Sequence, residues 1–196
     1  TAEPRQEAGD LFVQAHLEAV DTPMARPEGG GSELDGMMMK AAVPVRDADG
    51  ELLGVLYGGV LLNRNFKIVD RVKDTVYENI QYEGRDIGTA TIFQDDVRIS
   101  TNVLNADGTR ALGSRASEDV YDVVVGRGEP FIGRAFVVND WYITAYEPIR
   151  SIEDEVIGML YVGVLEERYT DIRRRAVVAL GGIMALGAIA SMVLSW

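Results

Sequence analysis

Residues 145–168, AYEPIRSIEDEVIGMLYVGVLEER, repeat residues 41–64, AAVPVRDADGELLGVLYGGVLLNR; slid by 104 positions, the two stretches share 11 identities in 24. The shared positions include Pro44/Pro148, Arg46/Arg150, Gly54/Gly158, Leu56/Leu160, Tyr57/Tyr161, Gly59/Gly163 and Val60/Val164. Each copy reads as a strand that ends near a proline, a polar turn, and a second apolar strand paired back on the first. Asp47-Ala48-Asp49-Gly50 is turn chemistry, with aspartates to hold the backbone and a glycine for positive φ. Each copy is therefore expected to be the closing hairpin of a sheet. After the first copy the period changes: Asn63–Ile80 places Phe66, Val69, Val72, Val76 and Ile80 at three- and four-residue steps, a helical stripe. Glu166–Arg175 is the shorter equivalent after the second copy.

Outward from the second copy, a whole module is readable. Thr89–Phe93 and Val97–Thr101 flank Gln94-Asp95-Asp96 and make a hairpin. Ser117–Val125 opens with a serine cap and acidic first turn, puts Val120, Val123 and Val124 on one face, and stops at Gly126, so a helix is expected. Phe131–Val138 and Trp141–Ile149 form another hairpin around Asn139-Asp140, and Val156–Leu165 supplies a fifth strand. Five antiparallel strands interrupted by a helix and preceded by a helix define an α+β module with one sheet face covered and a concave side for a ligand.

Composition narrows the chemistry. The 196 residues are 47% hydrophobic and 26% charged, which fits a folded chain of one or two domains. Nineteen Lys and Arg against 31 Asp and Glu leave a net charge of −12, the wrong sign for binding nucleic acid. There is no cysteine and one histidine, His16, which removes disulfides, zinc-thiolate sites, cysteine nucleophiles and most histidine-base arrangements. Neither a catalytic constellation nor a cofactor site can be assembled from what is left, so the chain is not expected to be an enzyme.

Ala176–Trp196 is a run of 21 residues without a charge. As a helix it would be about 31 Å long, against a hydrocarbon core of about 30 Å, so a transmembrane helix is expected there, with Trp196 as an interfacial anchor. Arg168, Arg173, Arg174 and Arg175 precede it, yet a preceding segment this long leaves the orientation open on charge alone. A start at Thr1 without Met and a stop at the end of the span point to a piece of a longer protein.

The runs GTATIFQDDVRISTNV, GRAFVVNDWYITAYEPI and VIGMLYVGV, followed by a helix entering a membrane, resemble the two-module Cache sensor domains of bacterial sensor histidine kinases and chemoreceptors. The resemblance implies a PAS-like five-stranded antiparallel sheet with a long helix. It also implies an extracytoplasmic, periplasmic location on the bacterial inner membrane, a small-molecule ligand, a homodimer, and a cytoplasmic output domain of two-component or chemotaxis type. On this reading, residues 1–62 are a partial membrane-distal module, 63–81 a connecting helix, 82–172 the membrane-proximal module and 173–196 the transmembrane helix. The alternative is a ligand-free, membrane-anchored spacer or dimerisation module.

Candidate ligand residues come from strand alternation. In Phe131–Val138, Arg134 shares a face with Ile132, Phe136 and Val138, opposite Gly133, Ala135 and Val137. Two readings of Arg134 stand side by side: a fork for a ligand carboxylate or phosphate, and a salt bridge or an edge-strand arginine in water. Tyr142, Thr144 and Tyr146 alternate with Trp141, Ile143 and Ala145, so one set is expected in the core and the other along a pocket. Together with Arg134 and Phe136 they would offer one positive charge inside an aromatic wall, suited to an organic anion such as a carboxylate. Arg98, Asn102 and Tyr161 complete the candidate set. For Arg98 the solvent side of a two-faced strand is the favoured reading, for Asn102 a turn, and for Tyr161, repeated as Tyr57, a structural role. Asp95-Asp96 reads as a solvated turn, Gly29-Gly30-Gly31-Ser32 as a flexible loop, and Met37-Met38-Met39 as packing rather than metal binding.

Overall fold

The computed structural model describes residues 4–20, 22–27, 36–167, 177–184, 187 and 191. Its elements in chain order are α1 (Pro4–Ala15), β1 (Met38–Arg46), β2 (Leu52–Leu61), α2 (Phe66–Val76), β3 (Gln81–Tyr82), β4 (Arg85–Asp86), β5 (Gly88–Gln94), β6 (Val97–Thr101), α3 (Glu118–Tyr121), β7 (Phe131–Val137), β8 (Asp140–Arg150) and β9 (Val156–Leu165). The protein is α+β, as expected, and its main sheet has five antiparallel strands in the order β6-β5-β9-β8-β7. β9, the last strand, lies in the middle, between the hairpins β5–β6 and β7–β8. Each of its faces is covered in part.

The inner face carries Phe93, Ala135, Val137, Tyr142, Tyr146, Met159, Tyr161 and Leu165, closed over by Val120 and Val124 and by Val103, Ala111 and Ala116 from the connection after β6. The outer face buries Ala90, Ile92 and Ile99 against Val69 of α2, with Leu17 and Met37 beside them. Val120 and Val124 are four residues apart and both fully buried, the spacing that brings two side chains onto one helical face. The helix expected over Ser117–Val125 is α3 followed by a π-helical turn, Asp122–Gly126, and Ser117 is extended at its start without a side-chain cap bond.

α2 is shorter than the stripe Asn63–Ile80 foretold. It ends at Val76 because Glu78 and Asn79 turn into the left-handed region, φ 50° and 52°, which no helix continues through. Val69 is buried, Phe66 and Val72 are half-buried, and Val76 and Ile80 are exposed.

The repeat is kept at the level of single hydrogen bonds. β1 pairs with β2 and β8 with β9 in one register: Ala42↔Tyr57 answers Tyr146↔Tyr161, and the ladder slips at the same step, Val45/Arg46 and Ile149/Arg150. In the first turn Asp47 N donates to Glu51 O at 3.0 Å and Gly50 has φ 85°; in the second Ser151 N donates to Glu155 O at 2.8 Å and Asp154 has φ 64°. Arg46 and Arg150 each donate across their own turn, to Gly50 O and Asp154 O, both at 2.9 Å. What differs is the surroundings. β8–β9 sits inside the five-stranded sheet, whereas β1–β2 is a separate two-stranded sheet, so Tyr57 is 79% exposed and its counterpart Tyr161 2%.

Among the described residues no helix is long and apolar enough to cross a membrane. Most of the expected span 176–196, and all but the first residues of the expected helix Glu166–Arg175, lie outside the described residues, as does the glycine run 29–31.

Candidate functional site

The strand register decides which candidates meet. Gly133, Thr144, Gly163 and Thr89 form one row across the inner face, and Phe131, Tyr146, Tyr161 and Thr91 the next. Arg134 pairs with Ile143 and Phe136 with Trp141, which places them on the other side of the sheet. The expected arginine inside an aromatic wall is therefore not formed by Arg134. Its Nε donates to Glu166 Oε2 at 2.6 Å, its guanidinium lies 3.8 Å from the centre of the Trp141 ring, and its side chain is 52% exposed. Phe136 packs edge-on against the same Trp141 at 5.5 Å. The physical reason is parity: alternation separates two sets of residues, and the cover supplied by α3 selects the set with Ala135 and Val137 as the inner one.

Tyr142, Thr144 and Tyr146 do share the inner face with Tyr161, but they divide between core and cavity. Tyr146 is core: it packs on Tyr161 at 4.9 Å, on Phe131 at 5.9 Å and on Phe93 at 6.1 Å between ring centres. Thr144 donates to Gly133 O at 2.9 Å, tying β8 to β7. The Tyr161 hydroxyl pairs with Thr89 Oγ1 at 2.9 Å. Burial pushes Tyr142 and Tyr146 up to about 12 and raises Tyr161 well above the ordinary phenol value. All three keep their protons at neutral pH and remain hydrogen-bond donors.

Arg98, expected toward solvent, is the largest of the fully buried side chains. The reason is a bulge. Ile92 pairs with Ser100 but Phe93 with Arg98, so the ladder skips Ile99, which packs toward α2 while Arg98 turns to the inner face. Its guanidinium lies 4.9 Å from the Phe93 ring centre, donates to Ser114 Oγ at 2.5 Å, and leaves its buried Nε without a hydrogen bond. Burial lowers its pKa. Asn102, expected in a turn, is a buried clamp: Ala90 N donates to its Oδ1 at 2.7 Å, and its Nδ2 donates to Val69 O at 3.0 Å, locking β5 to α2. Asp96 is likewise no solvated turn. It is buried and accepts from Arg115 Nη2 at 2.7 Å, with Arg26 Nε at 3.4 Å.

A pocket of about 340 Å³ opens at the end of the inner face where β5 and β8 begin, lined by Arg85, Asp86, Asn102, Asn105, Asp140 and Tyr142 among others. Of the sequence candidates only Asn102 and Tyr142 reach it. Arg85 is the one cation among the described lining residues. Its Nη1 donates to Asp140 at 3.0 Å and its Nη2 to Glu167, while Asp86 is held by Lys73 at 2.9 Å. Burial tends to lower the Arg85 pKa, but the bond to Glu167 and the charge of Asp140 outweigh it and raise it. In sequence, Tyr82-Glu83-Gly84-Arg85 is indistinguishable from any solvated turn, so Arg85 is not legible there as a site residue. The usable signal was Gly84, whose φ of 78° fixes the tight β3–β4 hairpin that turns Arg85 to the pocket.

A sheet of this order offers a small molecule a polar-lined cavity on its covered face. The chain matches the family described as single Cache domain 3 over residues 60–176, more than half its length, and it belongs to that family. No curated protein matches it. Cache domains are non-catalytic, extracytoplasmic ligand-binding modules of membrane receptors. The matched segment takes in α2, the pocket and all five strands of the main sheet, and leaves out β1 and nearly all of β2.

Proposed function

We propose that this chain is the sensing region of a transmembrane receptor of the histidine-kinase or chemoreceptor type, which binds a small organic anion outside the cytoplasm and signals through a membrane helix at 173–196. The observation that carries the reading is the pocket on the covered face of the sheet, whose cationic wall residue Arg85 is bonded to Glu167, where the chain leaves β9 toward the uncharged run 176–196. Ligand occupancy and the position of that exit are thus in physical contact.

The reading includes a second, membrane-distal module of which residues 1–62 are part, joined through 63–81 to the proximal module 82–172. Support comes from the hairpin β1–β2, which has the register, bulge and turn bonds of β8–β9 but none of the strands that flank the latter. The competing reading, a ligand-free spacer or dimerisation module, draws on the same hairpin, whose Val43, Leu53, Leu56 and Tyr57 are exposed.

The deciding experiment is a thermal-shift screen of small organic anions on the chain in detergent micelles. A ligand at about a hundred times its Kd stabilises by about 2.7 kcal/mol. At least one anion should raise Tm in a saturable manner. A screen in which none does, with the chain found as a stable dimer, favours the spacer.

A further inference from the structure

Arg85 is shared between the pocket and the exit of the sheet. It lines the main pocket, while its two carboxylate partners, Asp140 and Glu167, both line a second, shallower cavity of about 280 Å³ with Arg134, Trp141 and Glu166. Two ion pairs are among the contacts at the exit: Glu167 with Arg85, and Glu166 with Arg134 at 2.6 Å. Backbone bonds finish the clasp, Leu165 N to Ile87 O at 2.8 Å and Glu166 N to Trp141 O at 3.1 Å.

A ligand entering the main pocket meets charges that are already paired, Asp86 with Lys73 and Asp140 with Arg85. A carboxylate that takes the place of Glu167 on Arg85 leaves the guanidinium with two carboxylate partners, as before. Of the two carboxylates on Arg85, Glu167 is the one to give way, because its side chain is 45% exposed against 30% for Asp140 and it rehydrates at lower cost.

The geometry points to Arg85 as the anchor for a ligand carboxylate that competes with Glu167, so that filling the pocket loosens the Arg85–Glu167 contact on the segment leaving β9. This rests on the sensing reading above and names the ligand class and the regulation of the same site. Competition between two anions for one guanidinium is a coupling, and it is reciprocal: whatever weakens the Arg85–Glu167 bond tightens the ligand, and the ligand weakens that bond by the same factor. The Arg134–Glu166 bond does not use Arg85, so a carboxylate on Arg85 does not compete with it directly.

The test is calorimetry of the whole chain in micelles with acetate, succinate and citrate as probes. Half-exposed ion pairs contribute little, so Glu167→Gln should bind the best of these probes about two- to fivefold more tightly than the parent. Glu166→Gln should leave the affinity unchanged, and Arg85→Ala should weaken it by about tenfold or more. Equal or weaker binding in Glu167→Gln overturns the competition while leaving the sensing reading intact. Full affinity in a folded Arg85→Ala overturns the anchor. Absence of binding in both the parent and Glu167→Gln sinks the organic-anion reading itself and this inference with it. If Arg85→Ala does not fold, the Glu167→Gln and Glu166→Gln pair decides alone.

Discussion

Asp96→Ala should be among the most damaging single substitutions outside the hydrophobic core. The carboxylate is 1% exposed, and Arg115, which donates to it from Nε at 3.0 Å and from Nη2 at 2.7 Å, is fully buried. Arg26 approaches from the N-terminal segment at 3.4 Å, and Arg115 Nη1 returns to the Arg26 carbonyl at 3.0 Å, so one carboxylate joins the β5–β6 turn to two other parts of the chain. Removing the carboxylate takes two close charge-assisted hydrogen bonds from a fully buried guanidinium, and breaking a buried pair in this way costs about 3–5 kcal/mol. For a chain of this size each kcal/mol moves Tm by about 2–4 °C, so the transition should fall by roughly 6–20 °C. The assay is thermal unfolding followed by circular dichroism in micelles. A companion variant, Asp96→Leu with Arg115→Met, removes both charges and should recover much of the loss, because replacing a buried pair by apolar groups is often close to neutral. The reasoning is refuted if Asp96→Ala costs less than about 1 kcal/mol, or if the double variant is no better than the single one.

Gly158→Ala would put a Cβ 2.1 Å from Phe93 O and should cost about 1–3 kcal/mol by prying β9 from β5, while Gly54→Ala, at the repeated position with nothing within 4 Å, should stay within about 0.5 kcal/mol on the same melting assay. Tyr142, Tyr146 and Tyr161 hold their protons to higher pH folded than unfolded, so stability should be flat with respect to them below about pH 9 and fall from about pH 10 toward 12, by up to about 1.4 kcal/mol per unit for each phenol. Ultraviolet titration should show these three of the eight tyrosines ionising only as the fold is lost; early ionisation of all eight contradicts the burial argument. A reporter active only outside the cytoplasm, fused near residue 170 of a full-length receptor, should be active, and a silent fusion beside an active cytoplasmic one refutes the extracytoplasmic placement.

The sequence by itself determined the hairpins, their turns and their repetition. These depend on neighbours in the chain: an unbroken apolar run along Val156–Leu165, aspartates and a glycine at Asp47–Gly50, and a change of period after Asn63. It also set the expectations about chemistry, because residue types and net charge need no fold to be read. Only the tertiary structure decided which face of each strand is covered. Alternation gives two sets of side chains without naming the inner one; Arg134 and Phe136 went outward because α3 covers the opposite set, and Arg98 went inward because a bulge at Ile99 reverses its parity. Asn102 and Asp96 looked like turn residues because their partners, Val69 O and Arg115, are 33 and 19 residues away. The same distance effect hid Arg85, whose partner Glu167 lies 82 residues further on, so the proposed anchor of the ligand exists only once β4 and the end of β9 have been brought together.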